Sequence, residues 1–429
     1  MSLDFVTRLD PLRPIRCPFC FERFAALEMH FRCDYYGCKT DLANMIDDPI
    51  LSRTLHGRDA AKEGAALRAA WWVDPRHDAN RGWLRHLDWL VLPNAMRCPN
   101  CAHDTVHRLC PRCHNHLPDS VVTLASNHIA IFGPQSVGKT TFVTVLIHEL
   151  HERVGPKHNF ILSPLTDEIR DRYDREYHTV TYGSNQTEVG DGIFENLRRS
   201  HEATARLQIN RSILQPLVYR LTRRGRGAKR HNVLLSFFDT AGEDWEMHFD
   251  LLRSEANYLK QARGLLFLVD PLRIPDVAHA LRHTLTEKER HVPAANYRDD
   301  IDKLATLFRR TPVKVPLAIV LNKLDRWGAL IDEGNQLRDI ARGVPVPELL
   351  TANPDAAIHD EVCAALRRWG ATAFLEHVET NFPVHRFFAC SALGDAAQTE
   401  ESAPQPLPTP LLIERPVLWL MKQQGIIDS

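Results

Sequence analysis

The chain has 429 residues, of which 44% are hydrophobic and 25% charged, and its formal net charge is -1. This composition is typical of globular proteins, provides for two or three domains, and predicts no global attraction to nucleic acid or membrane. Because no basic start precedes an apolar segment and no apolar run approaches the roughly 18 residues that span a bilayer, we expect a cytoplasmic protein without membrane association.

Eight of the ten cysteines form pairs within the first 113 residues: Cys17 and Cys20, Cys33 and Cys38, Cys98 and Cys101, Cys110 and Cys113. A disulfide framework is one interpretation, but repeated C-x-x-C in a large chain without secretion signals favours zinc. Four sulfurs per ion predict about two zinc ions per chain. Such sites have no open coordination position, so we expect them to be structural.

The spacing leaves two ways of sharing the ions open. The third and fourth pairs, spaced C-x2-C-x8-C-x2-C, can close one four-sulfur site in the manner of a zinc ribbon, and the first two pairs another. In the crossed alternative, the first pair shares an ion with the fourth. His30 is an available substitute ligand, but with eight cysteines present we expect it to be a surface or core histidine.

Residues 1–120 are predicted to be a cysteine-rich zinc-binding region with a tryptophan-rich helical insert. The insert holds Trp71, Trp72, Trp83 and Trp89, which we expect to pack the zinc folds onto a helix. The region contains 16 Lys or Arg and 15 Asp or Glu, a net of +1. A surface that follows nucleic-acid phosphates would carry a clear basic excess, so a protein-docking module is favoured over nucleic-acid binding.

The stretch "IAIFGPQSVGKTTF", residues 129–142, matches the phosphate-binding pattern G-x-x-x-x-G-K-[ST]. It follows a predicted strand and precedes a predicted helix, "TTFVTVLIHEL". The glycine-rich turn directs backbone N–H groups to one centre, and the helix N-terminus adds partial positive charge. Lys139 is expected to reach the β- and γ-phosphates, and the Thr140 hydroxyl to bind magnesium.

Further apolar runs alternate with helical stretches along residues 121–429: "LQPLVYRL", "NVLLSFFDT", "GLLFLVD", "VPLAIVLNK" and "VHRFFACS". This alternation predicts an α/β domain, with a mostly parallel sheet and helices on both faces. After the proline-rich "SAPQPLPTP" comes a final amphipathic piece, "RPVLWLMKQQ".

Three further motifs lie at strand ends, and the last two indicate guanine. "FFDTAGED" places Asp239 where a magnesium carboxylate is needed, and Gly242 supplies an N–H for the γ-phosphate. In "VLNKLD", Asp325 can accept hydrogen bonds from guanine N1 and N2, while Asn322 contacts the base edge and Lys323 lies along the ring. "ACSALG" offers a backbone N–H near Ser391 and Ala392 to guanine O6.

These motifs together predict a site for GTP or GDP with magnesium. The residues predicted to contact the nucleotide are Gly133, Pro134, Gln135, Ser136, Val137, Gly138, Lys139, Thr140, Thr141, Asp239, Asn322, Lys323, Asp325, Ser391, Ala392 and Leu393.

In these motifs the chain resembles the Ras-like, translation-factor-related P-loop GTPases. With its cysteine-rich N-terminus, "LQPLVYRL" and "RPVLWL", it more narrowly resembles the bacterial double-GTPase group of predicted conflict (defence) systems. The resemblance implies a P-loop GTPase fold over residues 121–429. It also implies protein partners at the switch regions and the zinc region, another GTPase among the candidates.

Two departures from the resemblance bear on hydrolysis. About a hundred residues separate Thr140 from Asp239, so we expect a helical insertion, about residues 155–210, in the first switch region. Thr204 is our candidate for the switch threonine that contacts magnesium, with Thr187 as the alternative. Glu243 stands where relatives often carry the glutamine that orients the attacking water, which predicts slow hydrolysis.

The sequence thus predicts a slow GTPase switch with catalytic residues Lys139, Thr204, Gly242 and Glu243. Magnesium would be held by Thr140, Asp239 and Thr204. The alternative is a scaffold that GTP stabilises and that never hydrolyses it, its zinc region recruiting a protein or nucleic acid. The basic cluster "RRGRGAKR", residues 223–230, is either a solvated turn or a contact for an acidic partner or nucleic acid.

Overall fold

The computed structural model describes residues 14–40, 45–51, 68–75, 95–118, 121, 124–182, 216–224, 230–239, 257–308, 311–344, 354–394 and 407–427. By its internal contacts the chain divides into two compact units. The first comprises Met1–Ser126, Glu202–Val218 and Asn232–Leu234; the second comprises Asn127–His201, Tyr219–His231 and Leu235–Ser429. The domain boundary near residue 120 stays a prediction.

The described residues of the cysteine-rich part form short strands, a 3-10 helix (Ala26–Glu28) and helix α1 (Tyr36–Thr40), with further helical residues at 49–51. Its strands form a β1-β2 pair, a three-stranded sheet in the order β6-β3-β9, a β4-β5 pair and a β7-β8 pair. They are β1 (Pro14–Arg16), β2 (Arg23–Ala25), β3 (His30–Arg32), β4 (Ile46–Asp47), β5 (Arg68–Ala69), β6 (Trp72–Val73), β7 (Met96–Arg97), β8 (Asp104–Thr105) and β9 (Arg108–Leu109).

Seven further strands form one sheet in the order β11-β12-β13-β10-β14-β15-β16. Neighbours β10, β14, β15 and β16 pair in parallel, whereas the edge strand β11 pairs antiparallel with β12. The strands are β10 (Ala125–Phe132), β11 (Phe160–Pro164), β12 (Leu217–Arg224), β13 (Arg230–Asp239), β14 (Gly264–Val269), β15 (Leu317–Leu321) and β16 (His385–Ala389).

This α/β fold, a mostly parallel sheet with helices, is the predicted class. Every residue of β14 and β15 is buried, as expected for parallel strands covered on both faces, which is why they read as continuous apolar runs. The non-local order puts β10 between β13 and β14, and the parallel pairing of β10 with β14 places the loops after these two strands at adjacent carboxyl ends of the sheet, where ligands of such folds bind.

Thirteen helices follow along the described part of the second unit: α2 (Lys139–Glu149), α3 (Gly155–Lys157), α4 (Asp167–Arg172), α5 (Thr179–Tyr182), α6 (Asn257–Gln261), α7 (Pro275–Ala280), α8 (Glu287–Arg290), α9 (Tyr297–Thr306), α10 (Leu324–Trp327), α11 (Gln336–Ala341), α12 (Pro354–Arg368), α13 (Thr372–Asn381) and α14 (Arg415–Gln423). Helix α14 is the predicted amphipathic C-terminal piece. Across the described ranges, every helix is too short or too polar to cross a membrane.

The predicted helical insertion is only partly helical. Strand β11 lies within it and extends the sheet by one antiparallel edge strand, before α4 and α5. Length alone indicated an insertion, but the short apolar run "FIL" in β11 pairs with β12 because an open sheet edge offers unpaired backbone groups. The predicted insertion beyond Tyr182, to about residue 210, lies outside the described residues.

Candidate nucleotide site and zinc centres

The phosphate loop connects β10 to α2 and has the backbone conformation that its glycines permit. Gly138 has φ +84° and caps the N-terminus of α2, and Ser136 also has a positive φ of 62°. A Cβ atom at Gly133 would lie 2.6 Å from the carbonyl oxygen of Leu268 in β14, so only glycine fits there. The turn therefore presents its backbone amides towards one side, as anion binding requires.

Lys139 is held over this loop by the loop's own carbonyl groups. Its ammonium Nζ donates to the oxygens of Gly133 at 2.9 Å and Pro134 at 2.8 Å, and the residue is 7% exposed. Thr140 and Thr141 follow in the first turn of α2. A buried ammonium that donates to neutral carbonyls can also bind an anionic ligand, which fits a triphosphate.

The base-recognition motif after β15 is fixed directly to the phosphate loop. Asn322 donates from Nδ2 to the carbonyl oxygen of Val137 over 2.9 Å, and its backbone oxygen accepts from the Trp327 indole at 2.7 Å. Lys323 has φ 61°, and its ammonium lies 2.6 Å from the Asp270 carboxylate at the end of β14. The two motifs are thereby positioned as one site.

The Asp325 carboxylate has one oxygen engaged and one open. The Ser391 hydroxyl donates to Oδ1, while Oδ2 is buried and has no hydrogen-bond partner among the described residues. Burial raises the pKa of the Asp325 carboxyl, although the hydrogen bond from Ser391 lowers it. An unpaired buried carboxylate oxygen is costly, so its presence fits a ligand that donates there.

The loop after β16 gives Ser391 and Ala392 different roles. The Ser391 N–H donates to the Leu411 carbonyl at 3.0 Å, so it is not the amide that reads a base. Its hydroxyl instead accepts from the Gly394 N–H at 2.9 Å and orients Asp325. The Ala392 N–H is the remaining candidate for guanine O6, and the Leu393 carbonyl accepts from the Thr409 N–H.

Four predicted residues lie outside the described residues: Thr204, its alternative Thr187, Gly242 and Glu243. Asp239 is the last residue of β13, and only its backbone is described. Their roles stay predictions.

Two residues near the site were missed in the sequence. Asp270 follows the strand "GLLFLV" and pairs with Lys323, and a carboxylate at a strand end was a signal that could have revealed it. Arg273 is 6% exposed and donates from Nη1 to the Gln135 carbonyl of the phosphate loop at 3.2 Å. No sequence pattern singles out Arg273.

The eight N-terminal cysteines form two four-sulfur groups by the crossed pairing. The first and fourth pairs, Cys17, Cys20, Cys110 and Cys113, make one group; the second and third, Cys33, Cys38, Cys98 and Cys101, make the other. Closure within each adjacent motif, the first arrangement that the spacing suggested, is not what the structure has. Each group combines one pair from residues 17–38 with one pair from residues 98–113. The spacing within a motif cannot reveal which distant pairs combine.

The sulfur geometry fits zinc and excludes disulfides. In each group the four sulfurs lie within 4.8 Å of one another, with single separations of 3.8, 3.7 and 3.5 Å. A tetrahedron with zinc–sulfur bonds of about 2.3 Å has edges of about 3.8 Å. All ten cysteines are free thiols, and a disulfide would need sulfurs about 2.05 Å apart.

Three of the four pairs adopt the same turn. In the turns that begin at Cys17, Cys98 and Cys110, the first cysteine's carbonyl accepts from the residue four positions on, which has a positive φ. Backbone N–H groups also donate to the sulfurs of Cys17 and Cys110, with nitrogen–sulfur distances of 3.4 Å. Such donors favour thiolates, the form that binds a metal.

Without a cation, the thiols of Cys17 and Cys33 are poorly placed to ionise, whereas, despite burial, neighbouring thiols lower the pKa of Cys101 and Cys113. Burial raises the pKa of the Cys17 and Cys33 thiols, and neighbouring thiols add to the effect. A divalent ion supplies the charge that would reverse this, so metal binding would contribute directly to folding.

We expect about two zinc ions per chain, and Cys20→Ser should lower this to about one because each group binds its own ion. The matched control is Cys363→Ser, a cysteine in α12 outside both groups, which should leave the zinc content unchanged. Elemental analysis of freshly purified protein measures both. Strong chelation should unfold the cysteine-rich region while sparing most of the sheet domain. Protein that contains no zinc and has paired thiols would contradict the assignment.

A buried polar network lies among these strands. His30 is 5% exposed, and its Nδ1 lies 2.8 Å from Nε2 of His114, whose Nδ1 lies 2.8 Å from Oδ2 of Asp48. Arg32 also donates to Asp48, which is completely buried. These hydrogen bonds lower the pKa of the Asp48 carboxyl, although burial acts in the opposite direction. His30 is thus a core histidine outside both sulfur groups.

Two tryptophans of the predicted insert are described: Trp72 lies in β6, and Trp71 lies in the loop directly before it. Trp71 lies against the group that contains Cys33, and Trp72 in β6 stacks on His30 with ring centroids 5.0 Å apart. Neither of these two rings lies on a helix, and the helical character of the insert as a whole stays a prediction. Trp83 and Trp89 lie outside the described residues.

Comparison with known proteins gives similarity without a family assignment. No family model matches the chain. A curated relative from Mycolicibacterium smegmatis, named "Putative ESX-1 scaffolding and assembly protein SaeC", is 25% identical over 336 residues, which cover 74% of this chain and 80% of SaeC.

Three GTPase-type structures were also found. The Saccharomyces cerevisiae Ski7 GTPase-like domain bound to GTP is 11% identical, with 71% of this chain and about half of Ski7, 52%, covered and a TM-score of 0.33. The Trypanosoma brucei small GTPase Arl6 is 14% identical, with 71% and 100% covered and a TM-score of 0.25. The Chaetomium thermophilum SRb-GTP/SRX complex is 15% identical, with 63% and 92% covered and a TM-score of 0.26. At these identities and TM-scores the similarity supports no conclusion about activity. The fold class is assigned from the sheet and its loops alone.

Proposed function

We propose that this protein is a guanine-nucleotide switch that hydrolyses GTP slowly. The observation that carries the proposal is the Asp325 carboxylate, oriented by Ser391 with its second oxygen buried and unpaired. Guanine donates from N1 and N2 to such a group, whereas adenine has no matching pair of donors. The direct bond from Asn322 to Val137 supports one continuous site for base and phosphates.

Each part of the site has a role in this proposal. The loop amides and Lys139 bind the β- and γ-phosphates, Lys323 lies along the base, and the Ala392 N–H reads guanine O6. Thr140 and Asp239, with Thr204 from the insertion, would hold magnesium, which neutralises charge on the phosphates. The chain's own contribution is therefore positioning and preorganised positive charge.

Hydrolysis requires a water in line with the γ-phosphate, and Glu243 follows the Asp-x-x-Gly motif at the sequence position where relatives often carry the glutamine that orients this water. A glutamine amide donates towards phosphate and accepts from water at once, whereas an ionised carboxylate only accepts. We therefore infer low intrinsic turnover, with a protein partner, another GTPase among the candidates, supplying the missing positive charge. In comparable sites, an arginine supplied by a partner raises the rate of hydrolysis roughly 10³- to 10⁵-fold.

Glu243→Gln should raise the basal rate of GTP hydrolysis, and Glu243→Ala should leave it low, as measured by phosphate release without partners. The reason is that only the amide supplies both the donor and the acceptor. If the wild-type rate is already fast and Glu243→Ala abolishes it, Glu243 is a working catalytic base and the slow-switch proposal fails.

The second candidate is a scaffold that binds GTP without hydrolysing it. The name of the relative SaeC, which refers to scaffolding and assembly, supports protein partners and keeps this candidate in place. Phosphate release in the presence of candidate partners separates the two: stimulated release supports the switch, and nucleotide that stays intact with every partner supports the scaffold.

The zinc region serves as a protein adaptor in either case. Its balanced charge favours a protein over nucleic acid as its partner. The resemblance to double-GTPases and the name of SaeC both support action within a bacterial multi-protein system in the cytoplasm, a conflict (defence) system in the first case. Of the basic cluster, only Arg223, Arg224 and Arg230 are described, so its role as a partner contact stays a prediction.

A further inference from the structure

The chain between α7 and α9 touches both halves of the proposed nucleotide site. Residues 284–293, here called the bridging segment, include the short helix α8. Arg326, directly after Asp325, donates from Nη2 to the Thr284 carbonyl and to the Glu289 carboxylate, both at a distance of 2.9 Å. The Arg326 and Glu289 side chains are 18% and 23% exposed, so this contact is partly shielded from water.

The other end of the segment is joined to the phosphate loop. Arg273 donates from Nε to the Pro293 carbonyl at 3.0 Å and from Nη1 to the Gln135 carbonyl at 3.2 Å. The planar guanidinium thus spans two carbonyls that belong to different segments. The backbone carbonyl of Arg273 also accepts a hydrogen bond from the Ala295 N–H at 3.1 Å, which adds a second link between Arg273 and this part of the chain.

The segment is internally braced, so its two ends can move together. The Thr286 N–H and hydroxyl donate to the Glu289 carboxylate at 2.8 and 2.9 Å, a capping arrangement at the start of α8. At its far end His291 bonds to the Glu287 carbonyl at 2.7 Å. Glu289 therefore receives hydrogen bonds from both the segment and Arg326.

The segment is also accessible from outside. Thr286, Glu287, His291 and Pro293 are exposed. A cavity of about 430 Å³ separates it from the phosphate loop, lined by Gln135, Ser136, Arg273, Glu287, His291, Val292 and Pro293. A force applied to this exposed segment would be transmitted to the loop through Arg273 and to the base motif through Arg326.

We propose that the bridging segment couples the phosphate loop to the base-recognition motif and thereby sets the rate of nucleotide release, with Arg273 and Arg326 as positioning residues. The inference rests on the proposed nucleotide site. Release requires the phosphates and the base to be freed together. A segment tied to both motifs slows this step, and a protein that displaces it accelerates exchange.

The test is the dissociation rate of fluorescently labelled GDP from the full-length protein with magnesium. Arg273→Ala, Arg326→Ala and Glu289→Ala should each release GDP about 10-fold faster or more, since each breaks hydrogen bonds to a charged group. Glu289→Ala changes only the segment and leaves both arginines in place. The control is Arg282→Ala, an exposed arginine that donates to its neighbour His283, and it should release GDP at the wild-type rate.

Conservative and double variants separate coupling from a general loss of stability. Arg273→Lys keeps the charge but cannot span two carbonyls, so fast release should persist, whereas Arg326→Lys should largely restore slow release. If both arginines act through one segment, the double alanine variant should be little faster than the faster single variant.

Wild-type protein that binds GDP, with all three alanine variants releasing it at the wild-type rate, would overturn the coupling and leave the proposed function standing. Multiplying effects in the double variant would also overturn it, since the two ends would then act independently. Wild-type protein that binds no guanine nucleotide would overturn both proposals.

Discussion

Lys139→Ala is expected to abolish productive binding of GTP. The Lys139 ammonium is held over the predicted phosphate loop by the Gly133 and Pro134 carbonyls, where it can meet the phosphates of a bound nucleotide. Hydrogen bonds between charged groups contribute about 1.5–3 kcal/mol each, so losing contacts to two phosphates should weaken GTP binding at least about 100-fold. Isothermal titration with GTP and magnesium measures this.

The matched control is Lys422→Ala, an exposed lysine in α14. It should bind GTP as the wild type does. Because Lys139 also braces the loop, thermal unfolding of each variant should be followed in parallel. A Lys139→Ala protein with unchanged GTP affinity would show that the phosphates bind elsewhere.

Asp325→Asn is expected to change the base preference of the site from guanine to xanthine. Ser391 orients the carboxylate, and its open oxygen is the proposed acceptor for N1–H and N2–H of guanine. An amide cannot accept both donors, whereas it can donate to the carbonyl that xanthine carries at C2. GTP affinity should fall at least about 100-fold and xanthosine triphosphate affinity should rise.

This variant is not expected to unfold the protein. Burial raises the pKa of the Asp325 carboxyl, which means that the fold disfavours its charged form. Replacing it with a neutral amide should leave the unfolding temperature unchanged or higher. Since the ionised form is the acceptor, GTP affinity of the wild type should also fall as pH decreases through that raised pKa. If Asp325→Asn lowered the affinities for GTP and xanthosine triphosphate equally, the result would argue against a contact between Asp325 and the base.

The strands and the turn at Gly133 were predictable because each depends on a short stretch, whereas the nucleotide contacts stay predictions. Buried parallel strands read as apolar runs, so β12 to β16 were all recognised as runs. The phosphate loop needs glycine where a Cβ would strike Leu268, and that requirement is visible as Gly133. Asn322 and Asp325 were likewise identified by their place after a strand.

Contacts between distant parts of the chain were not predictable. Crossed sharing of the cysteine pairs, and the bond from His30 to His114, join residues that no spacing rule connects. The edge strand β11 was missed because an insertion's length says nothing of its pairing. The role of Ser391 changed for a related reason: its amide is already used by Leu411, a residue that follows a proline-rich stretch.

The most direct test of guanine-nucleotide binding is a competition titration on the wild-type protein. A labelled GTP analogue is bound in the presence of magnesium and then challenged with unlabelled GTP or ATP. We predict that GTP displaces the analogue and that ATP needs at least about 100-fold higher concentration, since adenine lacks the N1–H and N2–H donors for the open oxygen of Asp325. Equal competition by ATP and GTP would contradict the account.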